Sequence, residues 1–174
     1  PLYSSAAADV YKRQLVSRVE IIPLEVVVRN VVAGSLAKRI GWEEGRCLKE
    51  PIVEFYYKND DLGDPLLTEN HIELLELATT HEIKDLREQA LKINDFLTKR
   101  FDKIDLQFID FKLEFGKFKD QIMLGDEFTP DGCRLWDKDT LNKMDKDRFR
   151  QDLGNVIETY GEVAERLGMQ IKLD

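Results

Sequence analysis

Arg29, Gly34 and Ser35 stand in the run RNVVAGS, where an arginine leaves a hydrophobic stretch and a small Gly-Ser turn opens a short helix. Free backbone N–H groups at such a start can bind a phosphate. Arginine adds a planar, two-pronged partner for the same anion. A plain strand-to-helix turn with a solvated arginine has the same spacing, so the two readings stay open. A second pattern is DFKLEFG, Asp110 to Gly116. In a strand it sets Asp110, Lys112 and Glu114 on one face and Phe111, Leu113 and Phe115 on the other. The charged face then lies over a cleft, or over solvent as in any half-exposed strand. Gly125, Asp126 and Glu127 follow on the next run and bring one more carboxylate to that face. Register decides which, because a one-residue slip exchanges the faces.

Asp60, Asp61 and Asp64 lie in KNDDLGDP. They supply hard oxygen ligands of the kind magnesium takes beside phosphates, or the ordinary aspartates of a turn. Arg134, Arg148 and Arg150 are anion ligands or a solvated face. His71 and His81 have no serine or cysteine nucleophile pattern around them, and neither is assigned as a base. Met123 and Met144 read as packing or incidental residues.

These side chains need a frame. Val19 to Val32 is dense in valine and isoleucine and reads as a buried strand, with Pro23 marking a break or an edge. SLAKRIG reads as a short helix capped by Ser35 and stopped by Gly41. A strand over Ile52–Tyr57 leads into the charged turn, and two helices follow. In the longer one Thr79 and Glu82 fit a capping box, with Ile83, Leu86, Ala90, Ile93, Leu97 and Phe101 as its apolar stripe. Leu106–Phe115 and Gln121–Phe128 form a hairpin. A loop holding Pro130, Gly132 and Trp136 precedes a last helix with Phe149, Leu153, Val156, Tyr160, Val163 and Leu167 as its buried face and Gly168 as its terminator. Hairpins and segregated helices make the fold class α+β.

Composition narrows the partners. With 34 acidic against 26 basic residues and a net charge of −8, the chain lacks the basic balance of a nucleic-acid binder. No apolar stretch reaches the roughly 18 residues that span a bilayer, and no signal peptide is evident, so the expected address is cytoplasmic, with no membrane partner. Cys47 and Cys133 have neither CxxC nor Cys/His spacing and read as structural or incidental thiols. Residues 1–14, PLYSSAAADVYKRQ, have no clear period and are taken as a foreign or artefactual leader ahead of the patterned chain from 15 to 174.

Several long stretches together resemble one family, the bacterial-type SAICAR synthetases. The resemblance rests on IIPLEVVVRNVVAGS and FIDFKLEFG, and continues through PIVEFYYKNDDLGDP, LGDEFTPDGCRLWD and DKDRFRQDLG. In one order they cover nearly everything from Val16 to the end of the last helix. The fold implied is SAICAR synthase-like, a mixed or antiparallel sheet with flanking helices.

The activity implied is ATP-dependent ligation of L-aspartate to carboxyaminoimidazole ribonucleotide in purine biosynthesis, with magnesium as cofactor and with room for a homodimer. By that resemblance Arg29 and Ser35 hold the ribonucleotide phosphate, with Arg134 and Arg150 closing on its anionic groups. Asp110 contacts the imidazole substrate, Lys112 stabilises charge on the reacting phosphates, and Lys58 is a further phosphate contact. Glu114 meets the ATP ribose, Arg18, Val19, Glu20 and Ile21 form the hinge beside adenine, and Asp64 and Asp126 hold magnesium. The family's glycine-containing, β-rich ATP lobe has no match in this chain, so weak ATP binding and little or no turnover are expected of it alone. A non-catalytic nucleotide-binding or interaction module is the alternative.

Overall fold

Two long strands carry the architecture, β1 (Glu20–Val31) and β4 (Leu106–Phe118), which pair antiparallel at the centre of a six-stranded sheet. The computed structural model describes residues 17–119, 121–126 and 128–169; the leader assigned to 1–14 and the alternative carboxylate Glu127 lie outside them. β2 (Cys47–Tyr57) pairs with β1, β3 (Leu66–Leu67) with β2, and β5 (Gln121–Leu124) with β4. The order is β3-β2-β1-β4-β5, with β6 (Cys133–Asp137) also on β4. All these pairings are antiparallel.

One sheet face is apolar because its strands alternate. Val26 and Val28 of β1, Phe55 of β2, and Phe111, Leu113 and Phe115 of β4 are buried in one cluster with Ile83, Leu86 and Ala90 of α3 (Thr80–Asp102). Removing each such side chain from water contributes about 1.5–3 kcal/mol. The expected capping box is present: Thr79 accepts from the Glu82 backbone N–H, and Glu82 accepts from that of Thr79. A paired amide contact ties this helix to the central strand, Asn30 Nδ2 donating to Asn94 Oδ1 at 2.8 Å and Asn94 Nδ2 to Asn30 Oδ1 at 3.0 Å.

Irregularities in register aim the side chains. Pro23 neither breaks β1 nor places it at an edge. The β1–β4 register shifts between Ile21 and Glu25, and the Pro23 carbonyl accepts from the Lys58 N–H at 3.0 Å, so the residue that cannot donate sits in a bulge. A second shift, between Phe108 and Asp110 against β6, lets Phe108 stack on Phe111 with centroids 4.9 Å apart while Asp110 takes the opposite face.

Three further expectations are corrected. Ser35 is not a cap: α1 (Gly34–Ile40) starts from Ala33 with no side-chain cap bond, and the Ser35 hydroxyl is taken by Arg29. The loop holding Trp136 is in part strand β6, whose Cys133, Leu135 and Trp136 are buried. The last helix is two, α4 (Asp147–Arg150) and α5 (Val156–Arg166). Between them Arg148 donates to the carbonyls of Gly154 (2.9 Å) and Leu153 (3.1 Å). This clamp holds the bend, leaving Phe149 at 79% and Leu153 at 47% exposure rather than in the core. α2 (Glu69–Leu74) opens with Thr68, whose N–H donates to His71 Nδ1, which gives that histidine a capping role. Cys133 is buried, and burial pushes its thiol up to about 12, which makes it inert.

Candidate functional site

On the face opposite α3, the register sets Glu25 beside Glu114, Val27 beside Lys112 and Arg29 beside Asp110. Like charges directly opposite on a sheet repel, and lysines resolve the Glu25–Glu114 pair. Lys112 bonds Glu25 and lies 3.7 Å from Glu114, while Lys58 forms an ion pair with Glu114. Burial would lower the Lys112 pKa, but the hydrogen bond to Glu25 and the charges of Glu25 and Glu114 raise it overall. It is a firm cation.

Arg29, only 3% exposed, uses all three guanidinium nitrogens: Nε donates to Glu54 (2.7 Å), Nη1 to Asp110 (2.9 Å), and Nη2 to Ser35 (2.9 Å) and Tyr56 (3.1 Å). Arg134 donates from Nε to Asp147 (2.7 Å) and from Nη1 to Asp110 (2.8 Å). Burial opposes both charges, yet the facing carboxylates more than offset it and raise both pKa values: Glu54 and Asp110 for Arg29, Asp110 and Asp147 for Arg134. Beneath them Asp145 is fully buried. It accepts the Leu135 and Asp147 backbone N–H groups at 2.8 Å each. Burial outweighs those bonds and lifts its carboxyl to about 6.

These residues border an open hollow of about 320 Å³ lined by Arg29, Ser35, Asp110, Lys112, Arg134 and Arg150. All six were singled out from the sequence. Glu25, Asp131 and Lys146 join them there, and Asp147 fixes Arg134 from behind; the sequence reading missed all four. The expected phosphate start of α1 is altered, since the Gly34 N–H donates to Glu44 Oε1 at 2.7 Å.

The remaining candidates lie outside the residues lining the hollow. Lys58 and Glu114 adjoin it through Lys112. At the hairpin end, a Cβ on Gly116 would collide with the Val19 side chain, and one on Gly125 would come 3.0 Å from Ile21 Cδ1, so the segment Arg18–Ile21 runs against this end. Ile21, Gly116 and Met123 occupy one row across three strands, and Ile21 and Met123 are exposed there at 44% and 37%. Met123 is therefore not a core residue, whereas Met144 is buried. Asp126 is exposed and follows Gly125, whose N–H donates to the Glu114 carbonyl at 2.8 Å. Asp64 accepts from the Asn59 N–H at 2.8 Å, a turn contact. Among the described residues no group of three or more histidine, cysteine, aspartate or glutamate side chains is placed to enclose a metal, and no helix is long and apolar enough to cross a membrane.

A sheet with one face under a helix and the other gathering arginines, lysines and carboxylates about an open hollow defines an α+β domain with a charged candidate site. A profile of the SAICAR synthetase family matches residues 5–167, and the chain belongs to that family. The phosphoribosylaminoimidazole-succinocarboxamide synthase of Anoxybacillus flavithermus is 64% identical over 156 residues, which are 89% of this chain and 65% of that protein. The chain thus spans about two thirds of such a relative's length. A SAICAR synthetase (Type-2) structure in complex with ADP superposes with a TM-score of 0.87 at 49% identity, covering 90% of this chain and 67% of the other. The phosphoribosylaminoimidazole-succinocarboxamide synthase of Ehrlichia chaffeensis gives 0.85 at 45% identity, with 89% and 67% covered.

Proposed function

We propose that this chain is the substrate-holding part of a cytoplasmic ATP-dependent carbon–nitrogen ligase, joining L-aspartate to carboxyaminoimidazole ribonucleotide with release of ADP and phosphate. The observation that carries the reading is the convergence of Arg29, Ser35, Asp110, Lys112, Arg134 and Arg150 on one hollow in a chain of this family. In this reading the hollow takes the ribonucleotide, its phosphate toward Arg29 and Ser35, its other anionic groups toward Arg134 and Arg150, and its imidazole toward Asp110. ATP lies along the neighbouring end of β4, with its ribose on Glu114, its phosphates near Lys58 and Lys112, and its base over Ile21 and Met123. The ADP complex of a relative supports a nucleotide subsite.

The chemistry is phosphorylation of the imidazole carboxylate, then attack by the aspartate amine with loss of phosphate. It asks for positioning and charge neutralisation rather than a protein nucleophile, and firmly charged Lys112 and Arg134 suit that demand. The donor chemistry fits magnesium: Asp126 and Asp64 offer hard oxygens, and this ion takes only one or two protein carboxylates beside phosphate oxygens. When bound, it would supply charge neutralisation on the phosphates.

The test is release of ADP and phosphate by this chain supplied with the β-rich ATP lobe of a relative, with each substrate omitted in turn. Release that requires all three substrates and yields the aspartate adduct is expected. Stable phosphoryl transfer without aspartate indicates a kinase instead, and ligand binding without turnover indicates a non-catalytic module.

A further inference from the structure

Six charged side chains alternate in sign across the sheet face opposite α3: Arg39, Glu54, Arg29, Asp110, Arg134 and Asp147, each paired with the next. The inner five have side chains at most 13% exposed, while that of Arg39 is 34% exposed. Arg39 stands in the last turn of α1, one turn beyond Ser35, and is not among the residues lining the hollow. It closes the series at the solvent end. Its Nη1 donates to the Tyr56 hydroxyl at 2.9 Å and its Nη2 to Glu54 Oε1, while that hydroxyl donates to Glu54 Oε2 at 2.9 Å. The same carboxylate and the same hydroxyl accept from Arg29, at 2.7 and 3.1 Å. Glu54 and Tyr56 therefore bridge an exposed arginine and a buried one.

We propose that Arg39 is a positioning residue for the hollow: by drawing on Glu54 and Tyr56 it fixes the plane of the Arg29 guanidinium and leaves part of its charge for an incoming anion. The assignment rests on the reading of the hollow as a site for anionic substrates and deepens it with a side chain that touches no substrate. Burial opposes the charge of Arg29, and Glu54 is the strongest of the influences that restore it. A carboxylate shared between two guanidinium groups compensates each of them only in part. Without Arg39, Glu54 would turn its whole charge on Arg29. The three arginines and three carboxylates of the series balance, so loss of the outermost cation also leaves the wall with a net negative charge, which an anion must then approach. The helix is held by the same contacts. Ser35 accepts from Arg29 at one turn, and Arg39 grips Glu54 and Tyr56 at the next, so α1 is tied to both β1 and β2.

A double-mutant cycle read by calorimetric titration of the chain with ribose 5-phosphate tests this. Arg39→Met keeps an aliphatic stem but loses the charge, and should weaken binding at least threefold while the near-UV circular dichroism stays native. Arg39→Lys returns a charge beside Glu54 and should recover most of the loss. In a Glu54→Gln background Arg39→Met should alter the affinity less than twofold, because its effect passes through that carboxylate. A general loosening of the fold would not disappear with the Glu54 charge. Equal losses in both backgrounds, or an Arg39→Met chain that binds as tightly as the unaltered one, would overturn the role of Arg39 and leave the hollow as a substrate site. If the unaltered chain does not bind ribose 5-phosphate, the reading of the hollow falls, and Arg39 with it.

Discussion

The guanidinium of Arg134 lies against the bare Cα of Gly34, in the space a Cβ there would occupy. Asp147 and Asp110 pin that guanidinium at 2.7 and 2.8 Å, so it cannot swing aside at little cost. Gly34 also has φ +53°, a conformation other residues adopt at about 1–2 kcal/mol. Gly34→Ala should therefore lower stability by about that amount and weaken phosphate binding at least tenfold, because Arg134 is displaced. Calorimetry beside urea denaturation checks both; unchanged binding would show that the contact is immaterial.

Asp110 is 2% exposed and accepts from both Arg29 and Arg134. Replacing it with alanine leaves two buried guanidinium groups short of a counter-charge, a change that costs about 3–5 kcal/mol in comparable buried pairs. Urea denaturation reads the loss, and a value below about 1 kcal/mol would mean that solvent reaches the cluster.

Lys58 has a half-exposed side chain in its pair with Glu114. Glu114 is buried, with a side chain 8% exposed, but keeps Lys112 at 3.7 Å, so Lys58→Met should lower stability by about 1–3 kcal/mol without unfolding the chain. On the proposed function it raises the KM for ATP several-fold in the chain supplied with a relative's ATP lobe, and an unchanged KM would remove Lys58 from the nucleotide subsite.

Asp126→Asn follows the same logic for the metal. The exposed side chain plays no part in the core, so unfolding should be unaffected while turnover at limiting magnesium falls at least tenfold. An unaltered rate would take Asp126 out of the site.

The buried Asp145 carboxyl lies at about 6 in the folded chain against 3.8 as its ordinary value. A raised folded value means that the protonated form favours folding. This contribution is complete below about pH 3.8 and is lost as pH rises through about 6, by up to about 3 kcal/mol from the shift. Carbon-detected NMR titration should show the Asp145 midpoint near 6, and a midpoint below about 4.5 would refute the shift.

Much of the frame was legible because it rests on local periodicity. Alternation through DFKLEFG gave β4 its two faces, and Thr79 with Glu82 marked the start of α3. β6 was harder, since CRLWD is five residues long, charged near both ends, and follows the turn residues Pro130 and Gly132. Continued apolar spacing through Phe149 and Leu153 concealed the break between α4 and α5, which depends on Arg148 reaching two carbonyls beyond it. Asp131, Lys146 and Asp147 reach the site only because β6 packs on β4 and carries its neighbours there. No spacing rule encodes that tertiary event. The closely spaced Asp145 and Asp147 at a helix start were the sole local hint.

Thirteen residues of β4 build the aromatic heart of the molecule with one set of side chains and the charged wall with the other. On the proposed function, recognition and folding share a single backbone segment rather than being divided between a rigid scaffold and a detachable loop. A lesion in the core phenylalanines should propagate to ligand affinity, and an occupied hollow should slow amide exchange along this same central strand.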